Sequence, residues 1–141
     1  MNRKASAIWQ GGLKDGKGTI STESGVLSQT QYSFGTRFEN GKGTNPEELV
    51  AAAHAGCFSM ALSAELGKSE ITPASIETAA TVTLEKMDAG WTVSKVHLDV
   101  KAKIPGADPA AFNAAAETAK ANCPISKLLN ATITMQASLE K

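Results

Sequence analysis

Cysteine is scarce in this chain: Cys57 and Cys123 are the two in 141 residues. That is too few for the disulfide framework of a small secreted domain. Histidine is equally scarce, with His54 and His97, and no Cys-x-x-Cys occurs. His54-x-x-Cys57 has the spacing of half a zinc site, but four ligands are hard to assemble from that stock, so no metal is expected. Excess charge is also missing. Fourteen basic and 14 acidic residues cancel, so nothing points to a nucleic-acid or anionic-membrane partner. Behind the basic start Met1-Asn2-Arg3-Lys4 there is no apolar run of roughly 7–15 residues. No signal peptide is expected, and the chain reads as a cytoplasmic globular protein of one domain, residues 1–141, long enough to bury a core.

What the sequence does have is one long apolar segment with a marked beginning. Asn45 can cap a helix, Pro46 suits its first position, and Glu48 is placed to close a capping box. Glu47 and Glu48 complement the positive end of the helix dipole. Apolar residues then follow on nearly every face as far as Gly67, a natural stop. The segment spans about 31 Å. A helix without a polar face is usually a buried one, and Glu47, Glu48, His54, Gly56 and Glu65 favour a core helix over a membrane span.

Around it the pattern is mostly that of strands. Residues 4–11 read as a first strand and 19–22 as part of a second, joined by the glycine-rich turn 11–18. That turn brushes the phosphate-loop pattern, but Gly18 stands where Ser or Thr is required and no helix follows, so a nucleotide site is excluded. Residues 28–38 read as a third strand, with Tyr32, Phe34 and Phe38 on related sides. Residues 75–87 and 91–104 form a hairpin around Asp88-Ala89-Gly90. Asp108-Pro109 opens a helix to about Lys120, Ile125–Leu129 is a short helical piece, and 131–139 alternate as a last strand. The order predicts an α+β fold, mostly antiparallel sheets around a long buried central helix.

Each cysteine has two readings. Cys57 sits mid-helix among apolar residues, and Cys123 sits where a helix begins, a position that favours a thiolate. Free cysteine is also among the most often buried residue types, and either thiol taken alone fits a core role. His54 is a candidate base for Cys57 or a packed histidine. Arg37 and Glu47 are, on residue chemistry alone, a strand-end arginine and a helix-start carboxylate.

Asn45-Pro46-Glu47-Glu48-Leu49, followed by Ala55-Gly56-Cys57-Phe58, resembles the first signature of the OsmC/Ohr superfamily of thiol-dependent hydroperoxide reductases. Ala121-Asn122-Cys123-Pro124-Ile125-Ser126 resembles its second cysteine motif. The runs 16–27 and 36–39 are closer to the osmotically inducible protein C branch than to the organic hydroperoxide resistance branch. The resemblance implies an OsmC-like fold and an intertwined homodimer. It implies that Cys57 attacks an organic hydroperoxide and becomes a sulfenic acid. Cys123 then closes a disulfide with it, and an external dithiol, such as a dihydrolipoyl group, re-reduces the pair without any bound cofactor. It further implies that Arg37 stabilises the thiolate while Glu47 holds the guanidinium. Glu47 is ten residues from Cys57, about 15 Å along a straight helix. An extended Arg37 must therefore span the gap, or a second subunit must contribute; the homodimer that the resemblance implies fits the second, with Arg37 and Glu47 expected to reach Cys57 across its interface. Phe58, Met60 and Leu62 are then expected to favour a peroxide with a hydrocarbon tail. The alternative is a non-enzymatic redox sensor or ligand-binding thiol protein on the same fold.

Overall fold

A computed structural model describes residues 1–140, so the expected domain 1–141 ends one residue outside the described chain. The chain forms two compact units, one from Met1 to Leu49 and one from Val50 onward.

The first unit carries a three-stranded antiparallel sheet in the order β1 (Ala5–Gln10), β2 (Lys17–Thr22), β3 (Thr30–Tyr32). The third strand is much shorter than its sequence pattern promised. Ser33 ends it and opens a five-residue helix, α1 (Phe34–Phe38). The Ser33 hydroxyl accepts from the Thr36 N–H at 3.3 Å, and the Thr36 hydroxyl accepts from the Ser33 N–H at 2.8 Å. This reciprocal cap satisfies helix-start donors. Phe34 and Phe38, four residues apart, stack with centroids 4.9 Å apart, so what resembled strand alternation is helical spacing.

The loop 39–45 is pinned back on the sheet: the Thr44 N–H donates to the Gln31 carbonyl at 3.0 Å. Gly43 has φ +141°, and a Cβ there would lie 2.6 Å from that same carbonyl oxygen, so glycine is required.

α2 (Pro46–Gly67) starts in this unit. The Asn45 side-chain oxygen accepts from the Glu48 N–H at 2.8 Å, the predicted cap, while the Asn45 amide donates to the Thr36 carbonyl at 3.0 Å. Glu48 does not complete a capping box; its carboxylate accepts from the Thr44 hydroxyl at 2.9 Å.

The second unit holds the rest of α2, a second three-stranded sheet and two helices. β4 (Ser75–Met87) and β5 (Gly90–Lys103) form the expected hairpin, with a register shift at Thr83/Leu84. β6 (Thr132–Glu140) pairs with β5 in parallel. The parallel pairing follows from the crossover between them, α3 (Pro109–Asn122) and α4 (Pro124–Leu128).

The core gathers Phe58, Leu62 and Leu66 of α2, alternate residues Val96, Leu98, Val100 and Ala102 of β5, and Phe112, Ala116 and Ala119 of α3. Each fully buried large side chain contributes about 1.5–3 kcal/mol. α2 is long and apolar enough, by length and composition, to cross a membrane, yet this stripe packs into a protein core. The stripe also corrects the picture of a helix buried on every side. Only His54, Phe58, Leu62 and Leu66 are buried, at a spacing of four, while Met60 is 77% exposed.

Candidate functional site

The residues singled out from the sequence come together as two pairs, each within one unit. In the first unit, Arg37 lies in the last turn of α1 and Glu47 in the first turn of α2. The Arg37 Nε donates to both Glu47 carboxylate oxygens at 3.1 and 3.2 Å, and Nη2 donates to Oε1 at 2.7 Å. The guanidinium carbon also stands 5.3 Å from the Phe38 ring centroid. This forked geometry fixes the plane of the guanidinium. Arg37 is 38% exposed and Glu47 13%, and an isolated pair of that exposure adds about 0–1 kcal/mol to stability. The pair positions a cation more than it stabilises the fold.

In the second unit, Cys57 of α2 meets Cys123, the residue between α3 and α4. Their sulfurs are 2.8 Å apart and both are free thiols, against about 2.03–2.05 Å in a closed disulfide. The two differ in access: Cys123 is fully buried and Cys57 only partly so. Burial pushes the Cys57 thiol above its ordinary range and the contact with Cys123 adds to this, while a hydrogen bond from the Ile125 backbone N–H works against both. The short helix α4 thus delivers a donor to the sulfur of Cys57, where the sequence pattern had suggested help for Cys123.

His54, three residues before Cys57, is fully buried, and its Nε2 lies 2.7 Å from the Ser126 hydroxyl oxygen. Burial holds its pKa below the usual imidazole value, so the ring is neutral near pH 7. Its Nδ1 has no hydrogen-bond partner among the described residues. His54 faces a hydroxyl rather than the thiol, which argues against its being a base for Cys57. Ser126 was not singled out from the sequence. The signal was there: Cys123-Pro-Ile-Ser126 repeats the three-residue offset of His54-Ala-Gly-Cys57. His97 pairs with the Thr134 hydroxyl at 2.7 Å. Among the described residues no three His, Cys, Asp or Glu side chains cluster as a metal site.

Of the apolar residues expected around the nucleophile, Phe58 and Leu62 are wholly committed to the core and Met60 alone is presented outward.

An α+β chain in which a half-accessible thiol touches a buried one has the makings of a two-cysteine thiol protein. The profile of the OsmC-like protein family matches residues 39–138, and the chain belongs to that family. It is 52% identical over 140 residues to peroxiredoxin OsmC of Escherichia coli (strain K12), a match covering 99% of this chain and 98% of that one. Its fold resembles the crystal structure of the organic hydroperoxide resistance protein OhrB of Bacillus subtilis, with TM-score 0.70, 25% identity and coverage of 96% and 98% of the two chains. An OsmC-like protein from Mycoplasma pneumoniae shares the fold with TM-score 0.78 at 14% identity, over 100% and 99% of the chains.

Proposed function

We propose that this protein is a thiol peroxidase that reduces organic hydroperoxides to alcohols. The observation that carries the proposal is the contact of the partly accessible Cys57 with the buried Cys123. The names of its relatives, a peroxiredoxin and a hydroperoxide resistance protein, point to the same chemistry. The Cys57 thiolate attacks the distal peroxide oxygen. An S–O bond forms, the O–O bond breaks, and the alkoxide leaves as the alcohol after taking a proton. Cys57 is then a sulfenic acid. The Cys123 sulfur attacks the Cys57 sulfur, an S–S bond forms, and the hydroxyl leaves as water with the proton of Cys123. An external dithiol, for example a dihydrolipoyl group, reopens the bond by exchange and becomes the disulfide itself. No bound cofactor enters the cycle.

The thiol of Cys57 is pushed up by burial, so a cation is needed to make thiolate near neutral pH. Arg37, held flat by Glu47, is that cation in this proposal. It acts across a homodimer, with the pair of one protomer completing the site of its partner. The open apolar side of α2, with Met60 at its centre, supports such an assembly. The whole chain then works as one functional module in the cytoplasm.

The test is turnover of cumene or tert-butyl hydroperoxide with excess dithiol. Cys57→Ser is expected to abolish it. Cys123→Ser is expected to consume about one equivalent and then stop. Full activity in Cys57→Ser would refute the proposal.

A further inference from the structure

α2 and α4 face each other through two side-chain contacts at matched spacing. His54 and Cys57 are three residues apart on α2; Cys123 and Ser126 are three apart at the start of α4. Cys57 meets Cys123 at 2.8 Å, and His54 meets Ser126 at 2.7 Å. Both members of the second contact are buried. The peroxide chemistry of Cys57 and Cys123 does not use it.

α4 needs such a tie. Five residues between Cys123 and Leu129 are too few for a helix to hold itself. At its two ends the Lys127 N–H donates to the Cys123 carbonyl and the Leu129 N–H donates to the Ile125 carbonyl. Two side-chain contacts join it to α2, the thiol contact and the His54–Ser126 bond. Oxidation of Cys57 alters the first, because an oxygen now occupies a position beside the sulfur. The His54–Ser126 bond is chemically untouched. With Nδ1 unpartnered, the neutral ring carries its proton on Nε2 and donates to the Ser126 oxygen; the other tautomer would strand a buried N–H. A buried bond of this kind is costly to break, because one partner would be left unsatisfied.

We propose that the His54–Ser126 hydrogen bond is a latch that keeps Cys123 over Cys57 through the sulfenic-acid stage. His54 and Ser126 are thereby positioning residues for disulfide closure. This rests on the peroxidase reading of the two cysteines. The step they serve forms the Cys57–Cys123 S–S bond, breaks the S–O bond of the sulfenic acid, and releases water. Without the latch, Cys123 spends less time in reach, and the partly accessible sulfenic acid is open to a second peroxide, which takes it to the sulfinic acid.

The experiment follows one turnover of the reduced, full-length protein with tert-butyl hydroperoxide. Peroxide consumption and disulfide formation are read separately, the latter by mass, with dimedone trapping the sulfenic acid. Excess peroxide then reads sulfinic acid. In Ser126→Ala the rate of closure relative to the rate of consumption is expected to fall about tenfold, on the scale of one lost buried hydrogen bond. Dimedone adduct and sulfinic acid should rise accordingly. Ser126→Thr, which keeps the hydroxyl, and His54→Gln, which keeps a donor near the Nε2 position, are expected to restore most of the ratio. An unchanged ratio in Ser126→Ala, or an equal slowing of both steps, would overturn the latch. So would a failure of Ser126→Thr to restore closure. A wild-type protein that consumes peroxide without forming the disulfide would overturn the two-cysteine reading, and the latch with it.

Discussion

Arg37 and Glu47 are joined by three hydrogen bonds of 2.7–3.2 Å between the end of one short helix and the beginning of a long one. Two caps set up that pair. The Ser33–Thr36 cap starts α1 so that Arg37 falls in its last turn, and Asn45 starts α2 so that Glu47 falls in its first. The carboxylate complements the helix dipole and also orients a guanidinium.

Arg37→Ala is expected to lower kcat/KM for an organic hydroperoxide by roughly 10- to 100-fold, the scale of a lost charge-assisted hydrogen bond. In the proposed site it should also shift the pH profile of Cys57 alkylation further upward, because the thiolate would lose its cation while burial still opposes it. Arg37→Lys should recover only part of the rate, since an ammonium cannot hold the forked geometry. Glu47→Gln is expected to give a smaller loss. An alkylation profile unchanged in Arg37→Ala would show that the guanidinium does not serve Cys57.

His54 ties stability to pH, and the sign is fixed by its lowered pKa. The unfolded chain takes up a proton near the ordinary value of 6.5, while the folded ring refuses it until lower pH. Stability is therefore full above that value and falls as pH drops below it, by up to ~1.4 kcal/mol per pH unit for one proton. Denaturant melts of wild type and His54→Gln between pH 7.5 and 5 isolate this contribution. The variant should lose less stability on acidification; parallel curves would contradict the assignment.

Much of the fold was legible, and the misses have physical causes. The Asn45-Pro46 start, the 75–104 hairpin and the Asp108-Pro109 helix rest on local chemistry: a cap, a turn, a proline at a first helical position. The strand read over 28–38 is present only as Thr30–Tyr32, because Phe34 and Phe38 fit either period and the Ser33–Thr36 cap has a threonine where glutamate is usual. The burial of α2 was overread because alanines contribute little to a pattern of sidedness. Only the four-residue spacing of His54, Phe58, Leu62 and Leu66 separates the core stripe from the open face. Cys57 and Cys123 were legible as candidates, but their contact depends on where the crossover α3–α4 sets down, which no local pattern encodes. Ser126 escaped for the same reason.

The two faces of α2 predict opposite outcomes for neighbouring residues. Phe58→Ala empties a buried site and should cost about 3–5 kcal/mol of stability. Met60→Lys places charge on an exposed position and should leave protomer stability nearly unchanged, while weakening the proposed homodimer. Chemical denaturation paired with analytical ultracentrifugation separates these effects. A Met60→Lys protein that stays dimeric at micromolar concentration would place the interface elsewhere.

The most direct measurement counts products in one turnover. Fully reduced protein is mixed rapidly with one equivalent of cumene hydroperoxide, and alcohol release and thiol loss are followed together. One alcohol should appear for each chain as both Cys57 and Cys123 thiols disappear into a single intramolecular disulfide. Loss of thiols without stoichiometric alcohol, or alcohol formed at the same rate by Cys57→Ser, would contradict a peroxidase built on this cysteine pair.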